Sequence, residues 1–355
     1  GNAYFQMNQR RGMRWSATKA FLRPIIARPN LTVLTNAHTQ RLVIEDAPNG
    51  KRAAGVEVRM DSGGVLNFNA SREVILSAGS IGSPQILQVS GIGPGKLLSS
   101  KGISVIHDLP GVGENLQDHL QVRSVYKVED TVTLNQRANS LFGKIMMGLQ
   151  YMAFRTGPLT MPPSQLGAFA KSDPYQPSPN IEWHVQPLSL DKFGEPLHKF
   201  NAITPSVCNL RPSSRGHIRI KSPDAIVSPG ITLNYLSTEE DRRVAVEGIR
   251  FTRRIMSAPA LSKYRPKEVK PGPSLINTEE LLQAAAELGT TIFHPVGTCK
   301  MGNDPMAVVN DRLLVHGIRG LRVIDASIMP RITSGNTNAP TVMIAEKGAK
   351  FIQEG

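Results

Sequence analysis

The chain has 355 residues, 40% hydrophobic and 19% charged, which fits an ordered globular protein long enough for two domains and not a disordered chain. No run of eighteen apolar residues occurs, which excludes a membrane-spanning helix, and two distant cysteines, Cys208 and Cys299, exclude a disulfide framework and a zinc motif. The net charge is +13, but its basic residues are scattered and aromatics make up only 5%, which argues against nucleic-acid binding.

The first sixty residues hold ten Lys/Arg against three Asp/Glu, as if an acidic partner segment belonged beside them. The opening Gly1-Asn2-Ala3-Tyr4 reads like the middle of a domain. Trp15 to Arg28 is expected to be helical, with Ser16 as cap and Pro24 as its end or kink. Leu31–Thr35, Arg41–Glu45, Ala54–Met60 and Val65–Asn69 read as strands, the last three forming an antiparallel meander around turns at Asn49-Gly50 and Gly63-Gly64.

Glu73–Ser77 is a short apolar strand that runs through Ala78-Gly79-Ser80 into a helix. Ser83 is the expected N-cap and Pro84 the first helical residue. A strand–Gly–helix turn can lay backbone N–H groups against a ligand, or simply pack a helix tightly on a strand. The loop Gly113-Glu114-Asn115-Leu116-Gln117-Asp118-His119 is polar. Asp118 and His119 are chemically competent, but a hydrogen-bonded lock is the plainer expectation.

From Leu120 the texture changes to strands (Gln121–Val128, Ile181–Gln186, Gly216–Lys221) mixed with helices (Leu141–Arg155, Glu239–Met256), an α+β pattern. The Met-rich Leu141–Phe154 segment reads as core or pocket wall in preference to a membrane anchor, since its charge and length are wrong for a span, and His184, His198 and His217 read as structural or surface residues. Leu321 to Asp325 is then a strand ending in a carboxylate, placed where α/β sheets meet ligands or where a turn is capped. His294-Pro295-Val296-Gly297 sets one histidine among rigid, unreactive neighbours. Asn338 stands at the N-cap of a helix running from Pro340 to Ile352.

Taken together, Gly79-Ser80-Ile81-Gly82-Ser83-Pro84-Gln85-Ile86-Leu87, the Gly113–His119 loop, Leu210–Gly216, the His294 stretch, Asp325–Pro330 and Gly335–Thr341 resemble the glucose–methanol–choline (GMC) family of FAD-dependent oxidoreductases, in its choline-dehydrogenase-like branch. The resemblance implies a Rossmann-like α/β FAD-binding domain and an α+β substrate-binding domain with an antiparallel sheet. The implied boundaries are 1–119 (middle part of the FAD domain), 120–287 (substrate domain) and 288–355 (carboxy-terminal part of the FAD domain). The family's amino-terminal G-x-G-x-x-G is missing, so the chain is expected to be a partial member. Gly348 and Lys350 stand where the family usually has Ala and Asp.

Carried over by motif, His294 is the general base in oxidation of a primary alcohol to an aldehyde, with hydride passing to flavin N5, and Asn338 holds the substrate oxygen. Thr39 would present backbone to the adenine, Asp325 and Ala326 would meet the cofactor phosphates, and Pro340 and Thr341 would lie beside the flavin. No metal is implied. Expected partners are a small alcohol and an electron acceptor, a quinone-type carrier or oxygen, with no nucleic acid. The expected location is cytoplasmic, with peripheral contact to the inner membrane left open. Choline would need an aromatic cage, for which Trp183 is a candidate. Two readings compete: a non-catalytic fragment or scaffold that holds no FAD, and cyanohydrin-lyase chemistry without hydride transfer.

Overall fold

The computed structural model describes residues 1–192 and 194–355. Two compact units emerge, each assembled from separate stretches of chain. The first comprises Gly1–Val33, Leu120–Leu210 and Glu239–Thr290, and the second Leu34–His119, Arg211–Thr238 and Thr291–Gly355. Two stretches fall differently from the expected boundaries. The amino-terminal residues join the sheet-rich unit because strand Asn2–Tyr4 pairs with Leu166–Ala170. Residues 211–238 join the other unit, where Gln88 donates to the Ile218 carbonyl (2.9 Å) and accepts from the Ile220 N–H (2.9 Å).

The first unit is built on an eight-stranded sheet in which Leu166–Ala170, Ile181–Gln186, Ala202–Asn209 and Leu120–Arg123 are successive neighbours; the pairs among them are antiparallel. Ile181–Gln186 forms a strand, as expected. The helix Glu239–Met256 packs on this sheet, burying Val244, Gly248, Ile249, Thr252 and Met256 at helical spacing. A side chain at Gly248 would come within 3.1 Å of Val207, so a glycine lets helix and strand approach closely. Trp183 points into this layer, 1% exposed, with its indole N–H on Thr252 Oγ1 (2.8 Å) and its ring on Phe251. It is a core residue, not a wall of a cation cage.

The other sheet face is polar. Register sets Glu182 opposite Cys208 and His184 opposite Ser206. The ligand-type atoms of Glu182, His184 and Cys208 thereby lie within 4.8 Å of one another, a grouping that spacing along the chain does not reveal. Phe5 stacks on His184.

The Leu141–Phe154 helix forms where expected, capped by Ser140. However, it buries none of its residues, so it is not core. Trp15 to Arg28 holds only short turns, Thr18–Leu22 and Arg23–Ile25, in place of one α-helix. Pro24 supplies the physical reason, since it removes a donor from the middle of the segment. No strand forms at 31–35. Among the described residues no helix is long and apolar enough to cross a membrane.

In the second unit the meander appears as Ala37–Ala47, Gly50–Met60 and Val65–Asn69, all antiparallel. Val74–Leu76 pairs in parallel with Leu321–Val323, the α/β signature. The helix that follows begins at Gly79, four residues before the expected cap, so Pro84 lies inside it. Proline there leaves the Ser80 carbonyl without its helical donor. Thr298 Oγ1 donates to that carbonyl instead (2.7 Å), and the helix survives.

The carboxy-terminal helix Asn338–Glu354 buries Ile344 and Gly348. Glycine at position 348 would weaken a free helix by about 1 kcal/mol relative to alanine. Here an added Cβ would sit 2.6 Å from Ile324 Cγ2, closer than contact allows. Gly348→Ala is therefore expected to lower stability by about 1 kcal/mol, the overlap outweighing the propensity gain. A urea titration checks this, and a raised midpoint would contradict it.

Candidate active site

His294 lies in the second unit on a segment pinned at several points. Val296 and Gln117 exchange backbone hydrogen bonds (2.9 and 3.0 Å). The N–H groups of Gly297, Cys299 and Met301 donate to Ala326, Ser327 and Ile328. Gly297 has φ +94, and a Cβ there would strike the Asn115 carbonyl at 2.6 Å, so glycine is required. Just before the histidine, Phe293 has φ +64, uncommon for a bulky side chain and a form of local strain.

The Gly113–His119 loop is the lock that the sequence suggests. Asn115 donates to the carbonyls of Gly297 and Pro330, and Gln117 donates to Pro330 and accepts from the Ile332 N–H. Arg215 donates to Asn115 Oδ1 (3.1 Å). The loop also does more than lock. Asp118, 3% exposed, accepts from the His294 N–H (2.9 Å) through Oδ1 and from the Tyr235 hydroxyl through Oδ2. His119, fully buried, sets its Nδ1 3.0 Å from Nδ1 of His294, the rings meeting edge to face. One of the two nitrogens carries the shared proton.

Burial pushes the Asp118 carboxyl up from its ordinary value, and hydrogen bonds from Thr291, Tyr235 and the backbone at His294 and His119 oppose this. Tyr235 is pushed far above its ordinary range by burial and by the Asp118 charge, so it remains a donor. His294 itself is only half buried, leaving its ring within reach of a small molecule. Sequence reasoning missed Tyr235 and Thr291, which lie on segments without a motif. It did single out His119, though not its contact with His294.

Asp325 sits beside the Gly79 turn. Its carboxylate accepts from the Gly79 N–H (2.9 Å), Ser83 Oγ (2.5 Å) and the Ser327 N–H (2.8 Å), capping the short turn Ala326–Ile328. Both bland readings of this stretch, a turn cap and tight helix–strand packing, describe what these bonds do. Ala326 also accepts from the Gly297 N–H, tying the turn to the His294 segment. Thr39 lies on strand Ala37–Ala47 beside a register shift. Asn338 is exposed and is the first residue of its helix, with Thr337 in the cap position. No hydrogen bond joins Asn338 to His294 among the described contacts. Pro340 and Thr341 complete the first turn, where the Thr341 N–H and hydroxyl both donate to the Thr337 carbonyl.

This arrangement sets a parallel strand pair and glycine turn in the same unit as a histidine held by buried polar partners. Two family models, both described as GMC oxidoreductase, match residues 1–121 and 212–345. The chain belongs to the GMC oxidoreductase family. Alcohol dehydrogenase (acceptor) from Pseudomonas putida is 40% identical over 99% of this chain and 63% of its own length. Oxygen-dependent choline dehydrogenase from Paraburkholderia xenovorans is 42% identical over 96% of this chain and 60% of its own. Pyridoxine 4-oxidase from Mesorbium loti superposes with a TM-score of 0.86 at 29% identity, covering 100% of this chain and 65% of that one. A formate oxidase superposes at 0.90 and 29%, covering 97% and 64%. The chain thus spans about three fifths of the curated relatives it matches.

GMC oxidoreductases are FAD-dependent. The second unit fits such a group at three points. Gly79 has φ +79 and open space where a Cβ would be, an uncluttered backbone turn. Beside it Ser80 Oγ is buried without a hydrogen-bond partner. The N–H groups of Asn338 and Ala339 precede the first helical hydrogen bond and present positive charge to an anion.

Proposed function

We propose that the protein oxidises the CH–OH group of an alcohol to a carbonyl with FAD, and that His294 is the base. The observation that carries this is the clamp on His294: backbone to Asp118, ring Nδ1 to His119, on a segment fixed by the Gln117–Val296 bridge. With Nδ1 committed to His119, Nε2 takes the hydroxyl proton. The resulting imidazolium keeps a hydrogen bond through Nδ1 to His119. Bound FAD supplies the acceptor for the two electrons and hydrogen that leave the alcohol carbon.

Asn338 is read as a donor to the substrate oxygen as negative charge develops there. Its exposure at a helix start supports this, because the side chain is not spent on a cap. The helix start also favours negative charge on a nearby cofactor ring, which supports Pro340 and Thr341 as its neighbours. Asp325, already committed to three donors, would act by shaping the Gly79 turn, leaving phosphate contacts to backbone at Asp325–Ala326. Thr39 remains the proposed adenine contact. The relatives' names, an alcohol dehydrogenase (acceptor) and an oxygen-dependent choline dehydrogenase, support an alcohol substrate, choline among the candidates, and oxygen or another carrier as the electron acceptor.

Anaerobic addition of aliphatic alcohols and of choline to the FAD-loaded protein tests the reading. Bleaching of the oxidised flavin bands is expected for at least one. No bleaching with any alcohol, together with cyanohydrin cleavage, would replace oxidation by lyase chemistry.

A further inference from the structure

The polar face of the eight-stranded sheet gathers three metal-binding side-chain types at one point. Glu182 and His184 lie two residues apart on strand Ile181–Gln186, so alternation puts them on the same face. Cys208 stands opposite Glu182 on the antiparallel neighbour Ala202–Asn209. All three are buried, and one donor atom from each lies within 4.8 Å of the others. Strand register, not chain spacing, brings the cysteine in.

The group is unbalanced as it stands. Glu182 is 0% exposed, and among the described residues neither of its carboxylate oxygens has a hydrogen-bond partner. His184 Nε2 is also buried without one, although it lies 3.5 Å from Glu182 Oε1. A shared proton does not account for this, because an imidazolium and a carboxylate that share one stand about 2.7–2.9 Å apart. The cover over the group is aromatic and brings no donor. Phe5 stacks on the His184 ring at 4.7 Å between centroids. Gly167, opposite His184 on the next strand, makes room for it: a Cβ there would lie 2.7 Å from Phe5 Cζ. A buried carboxylate without a donor is among the most costly groups a fold can carry.

We propose that Glu182, His184 and Cys208 bind a zinc ion in a structural site on this sheet. Carboxylate oxygen, imidazole nitrogen and thiolate are donors that zinc takes, and on a tetrahedral ion they stand about 3.3–3.5 Å apart. The Glu182–His184 separation already has that value. Neutral His184 binds through Nε2. The Cys208 thiol gives its proton to solvent as the S–Zn bond forms, and carboxylate and thiolate together neutralise the divalent ion. Ser206 Oγ, buried without a partner and opposite His184 in register, is the fourth donor, directly or through a water. The proposal is independent of the catalytic reading.

Metal analysis of the protein, expressed in zinc-supplemented medium and dialysed against a weak chelator, tests it. About one zinc per chain is expected. X-ray absorption should show one sulfur at about 2.3 Å and nitrogen or oxygen at about 2.0–2.1 Å. Cys208→Ala and Glu182→Gln should each lower the zinc content at least about tenfold. His198→Ala, which alters a histidine outside the group, should leave it unchanged. If Cys208→Ala does not fold, the volume-conserving Glu182→Gln carries the comparison, and the absorption spectrum of the unaltered protein needs no variant. The proposal is overturned if the folded, unaltered protein keeps less than about a tenth of a zinc per chain. It is also overturned if the bound zinc has no sulfur ligand, or if folded Cys208→Ala keeps it in full.

Discussion

Replacing His294 with alanine is expected to slow alcohol-driven flavin reduction by about 10²- to 10⁴-fold while leaving the protein folded. The magnitude is that of a general base removed from a proton transfer. The fold should tolerate the change because the ring is half buried and what locks the segment is backbone: the His294 N–H to Asp118 and the exchange between Val296 and Gln117. Stopped-flow mixing of anaerobic, FAD-loaded protein with alcohol reads the rate directly. An unchanged rate would remove His294 from the chemistry. His119→Gln offers a finer reading. It keeps a polar group beside His294 Nδ1 but changes how the proton is shared, so it should move the midpoint of the pH–rate profile. A purely structural His119 would change the melting temperature and leave that midpoint in place.

Asp325→Ala is expected to cost about 3–5 kcal/mol, the largest loss from any single substitution considered. Its carboxylate is 6% exposed and serves three donors from two regions far apart in sequence, the Gly79 turn with Ser83 and the Ser327 N–H. Removing it strands all three at once, and unsatisfied buried donors cost far more than a made hydrogen bond returns. Asp325→Asn keeps one acceptor oxygen and should recover part of the loss. Urea unfolding of both variants measures this. A cost below about 1 kcal/mol for alanine would mean that the Gly79 turn holds without its acceptor.

Local periodicity carried the helix Glu239–Met256, because it packs one face against the sheet. It failed where distant residues decide. The helix at Gly79 starts early only because Thr298 satisfies the carbonyl that Pro84 abandons. Trp183 looked available for a cage until Thr252 and Phe251 were seen to enclose it. The apolar Leu141–Phe154 segment resembled core because composition records hydrophobicity and not what covers it. For the site, the motif order singled out His294, and the polar density of Gly113–His119 marked its support. Tyr235 is a lone tyrosine on an irregular segment, and nothing local sets it against Asp118.

The parallel pairing of Leu321–Val323 with Val74–Leu76 bears on how the chain is made. Gly79 and its acceptor Asp325 are 246 residues apart. At roughly 5–20 residues per second, the first partner waits about 10–50 s on the ribosome for the second. Through that interval the Val74–Leu76 strand has an open edge, which invites foreign strands. Contacts of such sequence separation also slow folding after release. Yield in a cell is therefore expected to depend on chaperones that shield early-emerging strands, and a nonsense mutation near the carboxy terminus should leave an aggregate in place of a smaller folded protein.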